Sequence, residues 1–147
     1  MKNILVPWNV SWAADHACRF AIALASHAGD KVHVAKIINI DFAVRASVSD
    51  KAYKEQITML SELMEKAEND FERLMSRIGI ADNKVAFLLE VGPSRNCLLK
   101  IICEHKIDLV VVAASEQPEF EQLLSESDFG KITFAAQVAD LIALYKS

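Results

Sequence analysis

An acid-rich loop follows the most apolar stretch of the sequence. Leu109 to Val112 is predicted to be a buried strand, and carboxylates follow it at positions 116, 119, 121, 126 and 128. They lack the D-x-[DN]-x-[DN]-G spacing of a calcium loop, which favours a solvated loop over a cation site. Ser115 lies outside a G-x-S-x-G turn, and no His–Asp pair follows it. We therefore expect neither a metal site nor a catalytic residue.

The other chemically capable side chains also lack the spacing of a site. His16, His27, His33 and His105 have no ligand-like pattern, and we expect helix-terminus or surface positions for them. Three cysteines at 18, 97 and 103 are odd in number and scattered, which argues against a disulfide framework and favours buried structural thiols. Trp8 and Trp12 are expected to pack over the end of the sheet, although a planar ligand could also stack on them.

Composition excludes several classes of protein. The chain has 147 residues, 52% of them hydrophobic, with a net charge of −4. No dense basic patch is present, so nucleic acid is not an expected partner. No apolar run approaches the ~20 residues of a membrane span, and the apolar start before Pro7 is too short for a secretory signal. We expect a single cytoplasmic domain.

Strand and helix patterns alternate along the whole chain. Ser11 is a good N-cap for the first predicted helix, and Gly29 ends that helix. The predicted strands cover 2–6, 31–40, 84–91, 108–114 and 140–146. The predicted helices cover 12–28, about 50–78, 94–106 and 129–138. This order predicts an α/β fold with a five-stranded, mainly parallel sheet and about four helices on both faces, because crossovers between parallel strands are right-handed.

Ligands of such sheets bind outside the carboxyl ends of the strands, where the strand order reverses. If the first and fourth strands are neighbours, segments 7–11 and 113–118 frame this crevice. The residues that we expect to line it, as a vestigial or alternative ligand site, are Pro7, Asn9, Ser11, Ile37, Ala113, Ser115 and Ser127.

The motifs of this chain resemble those of the universal stress protein family. NILVPWNVS resembles the family's ILVPxDxS entry, and LLEVGPSRNCLLKIICEHKIDLVVV resembles its VxxGxPxxxIxxxAxxxxxDLIVM core. The helix of nearly thirty residues and the terminal apolar strand also fit. The resemblance spans almost the whole chain and implies a Rossmann-like fold; adenine-nucleotide α-hydrolase-like folds are a looser alternative.

The chain departs from the family at the ATP-binding loop. Nucleotide-binding members have G-x-x-G, about nine residues and G-[ST] after the fourth strand. A gapless comparison places Ala113 and Glu116 at the first two glycines, and Glu126 and Ser127 at the final pair. Asn9 stands where the family has the aspartate of VPxDxS. Because glycine permits close backbone approach and positive φ, we expect ATP to bind weakly or not at all, with no cofactor.

Three functions remain open from the sequence. The favoured one is a non-enzymatic regulatory or stress-response protein that does not bind ATP tightly. The second is a nucleotide- or small-ligand-binding sensor that uses the same crevice through other contacts, and the third is a weak hydrolase. The resemblance also implies a homodimer that pairs through the terminal strand, Asp140 to Lys146. A helix that covers this edge within one chain is the rival explanation.

Overall fold

A computed structural model describes residues 2–39, 50–79, 85–113 and 133–135, together with 116, 118, 120 and 122. Its elements run in the order β1 (Asn3–Pro7), α1 (Trp12–Ala28), β2 (Lys31–Ile38), α2 (Asp50–Ile78), β3 (Val85–Val91), α3 (Ser94–Glu104), β4 (Leu109–Val111) and β5 (Thr133–Ala135). The described residues therefore contain five strands and three helices, and the α/β fold is confirmed.

The strands form one parallel sheet in the order β3-β2-β1-β4-β5. Ile4 of β1 is in register with Val32 on one side and with Leu109 on the other. The first and fourth strands are thus neighbours, which is the condition for the expected crevice, and the strand order reverses between them. The crevice expected from the sequence lies at the carboxyl ends of β1 and β4.

Helices cover both faces of the sheet, and alternate strand residues supply the two cores. Helices α1 and α2 pack on one face, against side chains such as Val6 and Val34. Helix α3 packs on the other face, where Leu98 and Ile101 meet Leu5 and Val110. No helix in the described part of the chain is long and apolar enough to span a membrane.

One predicted helix is wrong where the structure describes it. Residues 133–135 lie within the helix expected over 129–138, but they form β5, which pairs in parallel with β4. Thr133 and Phe134 favour extended structure, and the edge of β4 supplies hydrogen bonds that a local pattern does not reveal. The terminal strand expected over 140–146 lies outside the described residues.

Candidate functional site

The turn between β1 and α1 is held by its own polar side chains. The Asn9 Oδ1 atom accepts a hydrogen bond from the Ser11 N–H at 3.1 Å. Ser11 Oγ accepts one from the Ala14 N–H at 3.1 Å and caps the helix, as predicted. Between them, Val10 has a φ of 65°. Left-handed backbone is a true outlier for a β-branched residue, so this turn is strained.

Glu116 closes the crevice from the β4 side. Asn9 Nδ2 donates to Glu116 Oε1 at 2.9 Å, and Ser11 Oγ lies 3.4 Å from the same oxygen. The backbone fixes Glu116 in place, since its N–H donates to Ala113 O at 2.9 Å and its carbonyl accepts from the Phe120 N–H at 3.2 Å. A carboxylate of the chain itself therefore takes up the two side-chain donors of the β1–α1 turn at the switch point of the sheet.

The space left beside Glu116 is small. A cavity of about 170 Å³ lies between the ends of β1 and β2, the start of α3 and Phe120. Its lining residues are Pro7, Trp8, Asn9, Ala35, Lys36, Ile37, Ser94, Leu98, Glu116 and Phe120. Ligand pockets usually measure about 300–1,000 Å³. The cavity is about half the size of the smaller ones and is mostly apolar.

The two tryptophans of the β1–α1 turn differ in environment. Trp8 is buried, lies edge-on to Phe71 and Phe87, and donates from Nε1 to Asp15 Oδ1 at 2.8 Å. It packs over the sheet end, as expected, and this packing fixes its ring in place. Trp12 is 76% exposed, and its ring centroid lies 4.1 Å from that of His16. The expected packing of Trp12 over the sheet is wrong, because it stands at the outer first turn of α1.

The structure brings together most of the expected crevice residues that it describes. Pro7, Asn9 and Ile37 line the cavity, and Ser11 reaches Glu116. Ala113 is buried directly after β4. The other two expected residues, Ser115 and Ser127, lie outside the described residues.

The sequence did not predict that Glu116 accepts hydrogen bonds in the crevice. It also did not predict that Ser94, Leu98 and Phe120 line the cavity. The signal for Glu116 was available, because an acid at the position of a family glycine faces an asparagine that can donate a hydrogen bond. The α3 and Phe120 walls depend on how the chain returns across the sheet, which no local pattern reports.

The thiols and histidines of the described residues form no metal cluster of three or more ligands. Burial raises the pKa of Cys18 far above its ordinary value, and the negative charge of Asp15 adds to this effect. Burial also raises the pKa of Cys97, with a smaller contribution from the charge of Glu90. These two thiols are therefore unreactive at neutral pH. Cys103 is exposed on α3, so the expectation of a buried third thiol is wrong.

His33 also contradicts its expected position. It is 3% exposed on β2, with its ring centroid 5.0 Å from that of His105. An alternating strand residue can point into the interior whatever its polarity. This histidine pair lies at the amino-terminal edge of the sheet, since Nε2 of His33 is 3.4 Å from Oδ1 of Asn3 at the start of β1. It is therefore separate from the crevice.

Comparisons with known proteins agree with this fold. No protein with a curated description matches the chain. The fold is similar to that of universal stress protein UspA from Lactobacillus plantarum, at a TM-score of 0.64 and 17% identity over 77% of each chain. It is similar to the hypothetical protein MJ0577, at a TM-score of 0.68 and 17% identity over 99% of this chain and 97% of that one.

A third similar structure is a universal stress protein family protein from Arabidopsis thaliana with AMP bound. Its TM-score is 0.51 and its identity 12%, over 95% of this chain and 94% of that one. At these identities the structural likeness concerns the fold. The family model described as "Universal stress protein family" matches residues 1–133. The chain belongs to the universal stress protein family.

Proposed function

We propose that this chain is a non-enzymatic regulatory or stress-response protein that does not bind ATP tightly. The observation that carries the proposal is the contact between Glu116 and the Asn9 and Ser11 side chains. An incoming phosphate would need to displace a carboxylate that is already hydrogen-bonded. It would also approach the negative charge of Glu116, and two like charges ~4 Å apart in water repel by about 1 kcal/mol before salt screening.

The backbone of the loop supports the same proposal. Ala113 is 1% exposed, so its Cβ lies in the packed interior where nucleotide binders of the family have glycine. A side chain at such a position blocks close approach of a phosphate, and it resists positive φ by about 1–2 kcal/mol. The missing glycines therefore weigh more than the acidic charges, which salt screens.

The non-enzymatic part of the proposal rests on the chemistry of the crevice residues. Asn9 cannot act as a general base, Ser11 is occupied as a helix cap, and Glu116 is held by both of them. The cytoplasmic setting is also a proposal. It is supported by Cys18, Cys97 and Cys103, all of which are free thiols, as a reducing compartment would keep them.

A sensor of a small ligand is the second candidate, and the cavity beside Glu116 favours it. The structure with AMP bound shows that a similar fold holds a nucleotide. In this chain a volume of about 170 Å³ suits a molecule smaller than a nucleotide. Apolar walls, with Asn9, Lys36, Ser94 and Glu116 as the polar lining residues, would select a compact ligand with one or two polar groups.

Native mass spectrometry of the gently purified protein separates these functions. The proposal predicts a mass that is a whole multiple of the bare chain, with no retained nucleotide. A retained adenine nucleotide would contradict it, whereas a smaller retained molecule would favour the sensor. Assay of phosphate release from ATP tests the remaining hydrolase hypothesis: a rate that Asn9→Ala abolishes, with the fold intact, would show that the crevice is catalytic.

A further inference from the structure

Helix α2 extends well beyond the sheet on which it packs. Its buried side chains are Ala67 and Leu74, and none of residues 51–66 is buried. Leu63 and Ala67 line a groove with Ile38 and Asn39, at the carboxyl end of β2. An α-helix rises 1.5 Å per residue, so residues 51–62 reach about 18 Å beyond the carboxyl ends of the strands.

The apolar pattern of α2 runs through both halves of the helix: the extended half, up to residue 66, and the packed half, from residue 67 onward. Apolar residues recur at alternating steps of four and three along the helix: Tyr53, Ile57, Leu60, Met64, Ala67, Phe71, Leu74 and Ile78. This is the spacing of a coiled-coil seam. In the packed half the seam meets the sheet, with Phe71 and Leu74 in the core. In the extended half Tyr53 is 37% and Ile57 40% exposed, whereas Leu60 and Met64 are half-buried.

We propose that the seam over residues 53–64 pairs with the same seam of a second copy of this chain, antiparallel and about a two-fold axis. The spacing is symmetric about the point between Thr58 and Met59. Antiparallel pairing therefore places Ile57 against Leu60 of the second copy, and Tyr53 against Met64 of the second copy. The two-fold axis repeats each of these two contacts with the roles of the copies exchanged. The same surface of both copies can therefore form the interface.

The charges beside the seam favour the antiparallel direction. Lys51 and Lys54 lie near the start of α2, and Glu65 lies about three turns later on the same flank of the seam; all three are exposed. In an antiparallel pair, the two lysines face Glu65 of the second copy, and the relation is reciprocal. A parallel pair would instead turn this flank toward the opposite flank of the second copy, which carries Gln56 and Leu63 and offers the two lysines no carboxylate.

The size of the seam predicts a weak association. Two layers and their symmetry mates bury less than the roughly 1,200–2,000 Å² of a stable interface. We therefore expect pairing that depends on protein concentration and is reversible. This surface lies on a different element from the terminal strand, so it adds to, and does not replace, the dimer implied by the family.

Disulfide trapping tests the pairing and its direction together. Ile57→Cys and Leu60→Cys chains, each with Cys103→Ser to remove the exposed thiol, are mixed and oxidised gently. Mass spectrometry of the digested product then counts each cross-link. We expect 57–60 cross-links between chains to exceed 57–57 cross-links several-fold. The Glu62→Cys chain, altered on the exposed face opposite the seam, is the matched control and should cross-link slowly.

Two results of the trapping would overturn the proposal. An excess of 57–57 cross-links would show a parallel pair, and rates equal to the Glu62→Cys control would show no pairing through this face. Sedimentation over a range of concentrations gives an independent readout. Ile57→Lys should remove the concentration-dependent step and Glu62→Lys should keep it; equal behaviour of the two variants would contradict the proposal.

Discussion

Val10 combines a left-handed backbone with a β-branched side chain. Its φ is 65°, and its neighbours Asn9 and Ser11 are the residues that hold Glu116. Left-handed backbone costs an ordinary residue about 1–2 kcal/mol. The side chain is 41% exposed, so it contributes little packing in return. The strain persists because the hydrogen bonds on both sides of Val10 fix the turn.

Val10→Gly should raise the free energy of unfolding by about 0.5–1 kcal/mol. Glycine relieves the left-handed strain, and the greater freedom of the unfolded chain offsets part of that gain. Urea denaturation measures the change. Val10→Ala is the control, and it should gain less because its Cβ keeps most of the strain. A glycine variant less stable than the parent would show that the side chain of Val10 stabilises the fold in another way.

The buried ring of His33 makes stability depend on pH. Burial lowers the pKa of His33 to about 4 from the usual 6.5, and the nearby His105 and Lys31 add to the effect. Its Nδ1 atom is buried without a hydrogen-bond partner in the described part of the chain. The folded state therefore keeps this ring neutral at pH values where the unfolded chain already binds a proton.

The free energy of unfolding should fall as the pH is lowered from about 6.5 to about 4, because only the unfolded state takes up the proton in that window. The loss contributed by His33 is at most about 3 kcal/mol and levels off below the folded pKa. Urea denaturation at stepped pH values measures it. His33→Gln should flatten the slope in this window, and the exposed control His27→Gln should not. An unchanged slope in His33→Gln would contradict this assignment.

At the scale of elements, the β3–α3 turn depends on Gly92. Its φ is 142°, and an added Cβ would lie 3.3 Å from Cys97 Sγ. Gly92→Ala should therefore lower the free energy of unfolding by about 1–3 kcal/mol, from backbone strain and a tight contact. Gly29→Ala has a positive φ but open space, so it should lose only the backbone part. Thermal unfolding compares the two, and equal losses would rule out the contact.

The elements predicted best are those with local start and stop signals. Helix α1 begins after Ser11 and ends before Gly29, as predicted, because the cap and the left-handed glycine are properties of the sequence itself. Helix α2 was predictable from its apolar spacing. The residues of β5 were predicted as a helix, since their pairing with β4 is a long-range contact that a local pattern does not contain.

The site was predictable in outline and not in its contacts. The alternation of strands and helices along the sequence predicted a parallel sheet with a crevice at the end of β1. Pro7, Asn9 and Ile37 do line the cavity there. The hydrogen bonds of Glu116 span more than a hundred residues of sequence. They depend on the position of a single side chain after β4, so only the folded structure reveals that the chain fills its own crevice.

At the scale of the whole molecule, we expect a homodimer through the terminal strand, Asp140 to Lys146. Its apolar run, Leu141 to Leu144, would be a liability at an unpaired sheet edge. Light scattering at micromolar concentration should give twice the chain mass of 16.3 kDa, and Leu144→Lys should reduce it. Ile57→Lys is the control, because pairing through α2 is too weak to matter at this concentration. A monomer in the parent protein would refute the dimer.

The crevice at the switch point of the sheet is occupied by the chain's own side chains. Its donors Asn9 and Ser11 are hydrogen-bonded to Glu116, and Ala113, which the gapless comparison aligns with a family glycine, is buried. The same comparison places Glu126 where the family's phosphate loop has its third glycine. If the backbone is the main obstacle, neutralising the loop acids alone should do little. Restoring the glycines at 113, 116 and 126 together should increase the affinity for ATP.

Calorimetric titration of the unmodified protein with ATP and Mg²⁺ shows whether this crevice admits a nucleotide. We expect no saturable binding in the low micromolar range, and measurable binding in the variant with three glycines. A dissociation constant at or below about 10 μM for the unmodified protein, equivalent to roughly −7 kcal/mol, would contradict it, because ATP would then have displaced Glu116 or bound through other groups.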